Sequence, residues 1–429
     1  MRFRARWAVA WVVIAVLVVS GCASRQVAPI GAGGQPFRPE ADERALWSRA
    51  EKEEQALLKR AEMYDDPLLE EYLSSIADRL VPDEVRAAGG PGIKVGVIRD
   101  PTLNAFAMPN GKVYVHTGLL SRLENEAQLA TILGHELTHV THRHALRFAR
   151  DARTKQTLYT VGAIAASIGV AVAAGSAMQS GDHVGTAVLS QTANAVLGLG
   201  LALATVAAIQ GYGRDLEREA DRAGLEQLVR AGYDPNEAPR VFALLLAEAG
   251  DRGPVETFFF GSHPRLQERI ETTTALVNAK HAGAAGQAER IRQTAAFELR
   301  TRTVVRENAY EDIRMGRFAL AQRQLDRVLA VTPRDPIAHI YYGDLHRLRS
   351  QRARSLDDKK LEARQSLARY EQAAALDPAL PDPWRQLGFL YYQEKDQERA
   401  RRAFEQYLAL KPDAADAGRI KEYLLELDR

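Results

Sequence analysis

Apolar residues recur at three- and four-residue intervals along most of the chain, and strict alternation is confined to two short runs. From Ala41 to about Val85 the pattern predicts helix, with Pro67 opening a second helix after a break at Tyr64-Asp65-Asp66. Ile93–Ile98 and Lys112–His116 alternate as strands, and Pro109-Asn110-Gly111 between them is a turn. A helix is predicted from near Glu124 to about Thr154, through the segment GHELTHVTHRH. Leu158–Ile209 is almost uncharged and rich in Ala, Gly, Val and Ser, with Asp182 and His183 dividing it into two helix-length halves. Small residues serve buried hairpins and membrane helix contacts alike, so this composition leaves both readings open.

After about Gly283 the character changes to Arg- and Ala-rich helix with an internal period. Trp384, Leu387, Gly388, Tyr391, Ala400, Phe404 and Pro412 have the spacing of a tetratricopeptide repeat. Pro378, behind Tyr370 and Ala373, lies 34 residues before Pro412, and Pro333, behind Gly316, Ala321 and Leu325, lies 45 residues further back. About three repeats are predicted, the middle one holding 11 extra residues around Arg347–Arg364, with a capping helix from Ala415. The insertion carries seven basic and three acidic residues and reads as a solvated helix extension. Such helix pairs bury their faces only by stacking, so three is about the stable minimum.

The N-terminus is an address rather than a fold. Met1–Trp7 is basic, and Ala8–Val19 is uncharged and short for a membrane span, which needs about 20 apolar residues. Val19-Ser20-Gly21-Cys22 follows and resembles a bacterial lipobox, which implies cleavage after residue 21 and lipid attachment at Cys22. Ala23, not Asp, in the next position points to the outer rather than the inner membrane, with the chain facing the periplasm. The Pro- and Gly-rich run 22–40 reads as a flexible tether.

Composition narrows the chemistry. At 429 residues the chain has room for two or three domains of roughly 150 residues. A net charge of +2, or −1 without the arginines of the leader, gives no electrostatic case for nucleic acid. One cysteine excludes an internal disulfide and any cysteine-based metal cluster.

His135-Glu136-Leu137-Thr138-His139 is an HExxH segment in a predicted helix. Its histidines share one helix face and can share a tetrahedral zinc ion, and Glu136 can take a proton from an attacking water. The metzincin continuation is absent, because His142 stands where Gly belongs and Ala145 where His belongs. A third ligand from a later helix is the alternative, and Glu217-Arg218-Glu219-Ala220-Asp221 supplies candidates. Glu217 and Asp221 share a face, so Glu217 would bind zinc while Asp221 held a ligating histidine through its second ring nitrogen. Glu219 is the rival ligand. His142 and His144 are placed on the outer face of the helix, and His116, His183, His281, His339 and His346 have no partner pattern.

HExxH followed by E-x-x-A-D resembles the HtpX-like and CAAX-prenyl-protease-like zinc metallopeptidases. Asn104–Ala107, Pro109–Gly111, Ser262-His263-Pro264 and Arg269-Ile270 agree with that resemblance. Envelope members with C-terminal repeats, of the β-barrel assembly-enhancing type, are the most similar in layout. The resemblance implies one Zn²⁺ held by His135, His139 and Glu217, with Glu136 as general base and Asp221 behind the ligands. It implies that His263 approaches the metal, either plugging its open position or stabilising the oxyanion, and that Arg269 braces a carboxylate or polarises the substrate carbonyl.

The expected fold is mainly α: a gluzincin-type metallopeptidase domain over 41–285 with a small β-sheet, then an all-α tetratricopeptide solenoid over 300–429. The expected function is a lipid-anchored zinc endopeptidase acting on envelope proteins, with the repeats docking an envelope partner. A repeat-based chaperone or scaffold is the alternative. The strand Lys112–His116 is expected to grip extended substrate by edge addition.

Overall fold

The computed structural model describes residues 27–152, 212–250, 265–283, 291–292 and 294–428. Cys22, His263 and the run Leu158–Ile209 lie outside the described residues. Among the described residues no helix is long and apolar enough to cross a membrane. The chain divides into two compact units: Met1–Ile98, Leu103–Val115 and Ala127–Ile291 make one, and Arg99–Thr102, His116–Glu126 and Arg292–Arg429 make the other. Both are mainly helical, with one small sheet.

In the first unit, α1 (Ala41–Leu58) starts with a capping box between Glu40 and Glu43. In α2 (Pro67–Leu80), Asp66 caps the Leu69 N–H and Pro67 occupies the first turn, where no N–H is missed. Its buried face is Leu69, Leu73, Ile76, Ala77 and Leu80, the helical spacing of an amphipathic stripe. A short α3 (Asp83–Ala87) leads to the sheet.

Strands β1 (Lys94–Ile98), β2 (Ala105–Ala107) and β3 (Lys112–His116) lie in the order β1-β3-β2. β2 and β3 are antiparallel, with Phe106 opposite Tyr114, and the turn predicted at 109–111 joins these two strands. β2 is too short to show alternation, so the sequence pattern missed it. Its presence overturns the edge-strand role of Lys112–His116: β3 is the middle strand, and both of its edges are already paired.

Residues 27–40 correct the tether reading. Ile30 is buried with Val85 and Ala88, its N–H donates to Thr141 O at 2.8 Å, and the Phe37 N–H donates to Ala88 O at 2.6 Å. Backbone pairing and apolar burial here offset the entropy of fixing a Pro- and Gly-rich stretch.

The helix through HExxH is also shorter than its pattern. α5 runs from Glu126 to Thr141, and helix resumes over 144–152 after a break. Arg143 sits at the break with φ of +58°, a left-handed conformation that costs a non-glycine residue about 1–2 kcal/mol. Its guanidinium donates to buried Glu43 at 2.8 and 2.6 Å and to Ala28 O at 3.2 Å, which holds it there. The unit continues with α6 (Arg214–Arg230), α7 (Glu237–Gly250) and α8 (Leu266–Lys280), α7 packing on α8.

The second unit joins a short helix, α4 (Thr117–Arg122), to three helix pairs: α9 (Thr294–Arg314) with α10 (Phe318–Val331), α11 (Pro336–Arg352) with α12 (Leu356–Leu376), and α13 (Pro381–Gln393) with α14 (Gln397–Leu410). α15 (Ala417–Leu427) follows. Gly343 and Gly388 leave room for Tyr370 and Phe404, whose rings would lie 2.5 and 2.4 Å from an added Cβ. The 11-residue insertion lengthens both middle helices, α11 having 17 residues to the 13 of α13 and α12 having 21 to the 14 of α14. Ser350 Oγ donates to Lys359 O at 2.9 Å and His346 Nδ1 meets Glu362 Oε2 at 2.6 Å, tying the extension to itself. Arg122 is buried in an ion pair with Asp312 at 2.9 Å, and Arg327 donates to Ser121 O and Leu123 O, the carbonyl end of α4.

Candidate metal centre

Two helices build the site, and two glycines set their separation. An added Cβ on Gly224 of α6 would lie 2.9 Å from Gly134 C and from His135 N on α5. At that approach, residues one turn apart on each helix face each other: His135 and His139 on α5, Glu217 and Asp221 on α6. The Nε2 atoms of His135 and His139 are 3.1 Å apart. Glu217 Oε2 is 3.4 Å from His135 Nε2, and Glu217 Oε1 is 3.6 Å from His139 Nε2. All three side chains are buried. Glu217 Oε1 also accepts the Tyr212 N–H at 3.2 Å, which fixes the carboxylate at the start of its helix.

Behind His135, Nδ1 meets Asp221 Oδ1 at 2.9 Å. Arg269, on α8, donates to both Asp221 oxygens, through Nε at 2.9 Å and Nη2 at 2.5 Å, and lies 4.0 Å over the Phe242 ring. Burial alone would push the Asp221 carboxyl up, but the Arg269 charge and His135 hold it below the usual range. Burial and the Arg269 charge push the His135 imidazolium down, yet hydrogen bonds to Asp221 and Glu217 outweigh them and raise it to about 9. A metal ion at this spot therefore competes with a proton. Glu136 is buried on the same helix, and after burial itself its charge and that of Glu217 keep the Tyr212 phenol well above its ordinary value.

The donor set fits a zinc ion. Ligand atoms around a tetrahedral zinc at ~2.0–2.1 Å stand roughly 3.3 Å from one another, close to the spacings of the two ring nitrogens and the carboxylate. Two imidazoles and one carboxylate, with a buried carboxylate orienting one ring, are the chemistry that a catalytic zinc uses. His135, His139 and Glu217 form a group whose ligand atoms lie within 4.8 Å of one another.

Residues 67–277 match the model of peptidase family M48, a span that carries this whole donor set. These residues are an M48 metallopeptidase domain. Residues 360–424 match a tetratricopeptide repeat model. The chain is 32% identical over 207 residues to the beta-barrel assembly-enhancing protease of Escherichia coli K12, covering 48% of this chain and 38% of that protein. It is 33% identical over 175 residues to the protein of that name from Yersinia pestis, covering 41% and 32%. It is 31% identical over 201 residues to the mitochondrial metalloendopeptidase OMA1 of Schizosaccharomyces pombe, covering 46% and 50%. The chain thus spans about two-fifths of the E. coli protein and half of the yeast one.

Within the M48 domain the structure brings Glu217, not Glu219, to the histidine pair. Glu219 instead meets His142 Nδ1 at 2.7 Å and Arg147 at 2.8 Å. His144 corrects its expected outward placement: it is fully buried, and its Nδ1 is 2.8 Å from His139 Nδ1. Five residues of unbroken helix would put His144 about 140° from His139, and the left-handed Arg143 turns it back. Tyr212 was also missed; its ring stacks on His139 with centroids 4.4 Å apart. No local pattern marks it, since it lies far along the chain from HExxH. The other expected site residue, His263, lies outside the described residues. His116, His339 and His346 make hydrogen bonds to Thr102, Pro333 O and Glu362.

Proposed function

We propose that the chain is a zinc-dependent endopeptidase of the bacterial cell envelope that degrades misassembled envelope proteins, its repeats docking a protein partner. The observation that carries the chemistry is the convergence of two Nε2 atoms and one carboxylate from α5 and α6. His135, His139 and Glu217 would hold the ion. When bound, zinc would supply a Lewis acid that polarises the scissile carbonyl and acidifies water.

The chain's own residues do the rest. Glu136 takes the proton of the attacking water on its carboxylate and delivers it to the nitrogen of the leaving amine. Asp221, held by Arg269, keeps the His135 proton on Nδ1 and leaves Nε2 free to ligate. Arg269 braces Asp221 through Nε and Nη2, its Nη2 also lies 3.0 Å from His135 Nδ1, and its buried Nη1 makes no hydrogen bond among the described residues.

The envelope assignment rests on the lipobox-like VSGC at 19–22, with Cys22 as the lipid-modified residue and the outer membrane as the site, and on likeness to proteins named for β-barrel assembly. His263 is proposed to act at the open side of the metal, as plug or as oxyanion donor, from the resemblance of its Ser-His-Pro segment. Glu136→Gln decides the catalytic reading. It should retain zinc by elemental analysis and lose hydrolysis of an unfolded casein-type substrate. Parent-level cleavage by that variant would refute the mechanism.

A further inference from the structure

We propose that His144 is a positioning residue that fixes the tautomer and orientation of the metal ligand His139 through the contact between their Nδ1 atoms. The inference rests on the reading of His135, His139 and Glu217 as zinc ligands. His139 turns Nε2 toward His135 and Glu217, and its Nδ1 lies 2.8 Å from His144 Nδ1. A neutral imidazole that gives its Nε2 lone pair to a metal carries its proton on Nδ1. The Nδ1–H of His139 must then donate, and the His144 Nδ1 that receives it must be bare. The single proton of neutral His144 is left on its buried Nε2, which makes no hydrogen bond among the described residues and has the negative Glu219 Oε1 3.7 Å away, an electrostatic contact only.

Each ligating ring thus has its own support. His135 donates to a carboxylate that Arg269 holds, and His139 donates to a second imidazole set against Glu219. Arg147, 2.8 Å from Glu219 Oε2, and His142, 2.7 Å from Oε1, keep that carboxylate in place. The stacked Tyr212 ring, tilted 20° from His139, fixes the remaining rotation.

The same residues admit a rival. His142, His144 and Glu219 place three donor atoms within 4.8 Å, as a second metal site would. Proton counting opposes it while His139 binds zinc. Coordination through His144 Nε2 would move the proton of that ring to Nδ1, and two N–H groups would then point at each other across 2.8 Å. The Arg147 guanidinium on the same carboxylate adds a positive charge where a cation would sit.

Zinc titrations of the full chain against a chromogenic chelator test the proposal, with thermal midpoints of the apo-proteins measured alongside. His144→Leu should weaken zinc binding by roughly 10–100-fold, the usual cost of losing a partner behind a ligating histidine. His144→Asn, whose Oδ1 stands near the Nδ1 position and accepts, should restore most of that loss even where the two apo-proteins melt alike. Equal losses in both variants, or none in His144→Leu, would overturn it. If His144→Leu fails to fold, nitrogen-15 spectra of the zinc-loaded parent decide: the proposal requires His144 protonated at Nε2, and a proton at Nδ1 refutes it. A stoichiometry of two zinc ions per chain would refute it in favour of the second site. A parent that binds no zinc would refute the ligand reading itself, whereas tight parent binding with indifferent His144 variants would remove this inference alone.

Discussion

Gly134 and Gly224 bring α5 and α6, the two helices of the candidate metal centre, into backbone contact, with space for no side-chain atom at Gly224. The obstacle is main chain rather than a flexible side-chain tip, so it cannot swing aside. Gly224→Ala should force α5 and α6 apart, costing about 1–3 kcal/mol as overpacking. It should also weaken zinc binding, because His135 and Glu217 separate together. Parent-like urea denaturation and parent-like zinc affinity would show that the contact has slack.

Arg269→Ala should be severe. It leaves Asp221 buried without its guanidinium, and breaking a buried pair from one side costs about 3–5 kcal/mol. Denaturant titration of the apo-protein reads this directly. A loss no greater than that of an exposed pair, such as Arg402 with Glu398, would show that water reaches Asp221.

Among the repeat tyrosines that donate to carboxylates are Tyr342 to Asp326, Tyr391 to Glu371 and Tyr407 to Asp416. Burial and these carboxylates push each phenol up to about 12. A folded value above the unfolded one of about 10 means stability complete below pH 10 and lost as pH rises toward 12. Ultraviolet titration should show a late tyrosinate step coincident with loss of helix. Ionisation of all 14 tyrosines in one step near pH 10, with the helices intact, would contradict it.

Removing the repeats is expected to do more than remove a docking surface. α4 belongs to the repeat unit, where Arg122 pairs with Asp312 and Arg327 caps its carbonyl end, and the chain runs from α4 into α5. A chain ending before Val304 should be cut readily by trypsin at Arg122 and should melt earlier. Protection at Arg122 equal to the parent would show that α4 holds without these partners.

Much of this was legible in the residues. HExxH and the acidic pair Glu217/Asp221 follow from helical spacing, because side chains one turn apart share a face whatever surrounds them. The repeat glycines and aromatics were legible for a similar reason, since Gly388 and Phe404 answer to one packing demand. What escaped were features decided by distant partners. No Gly, Asn or Pro marks the break at Arg143; Glu43, a hundred positions earlier, stabilises it. β2 has three residues, too few for alternation to register. His144 could not be placed until that break was known.

The fastening of Arg143 to Ala28 O has a bearing on reach. From Cys22 to Ala28 the chain takes six steps, at most ~20 Å when fully drawn out. If Cys22 carries the lipid, the C-terminal end of α5 is leashed within roughly that height of the bilayer surface.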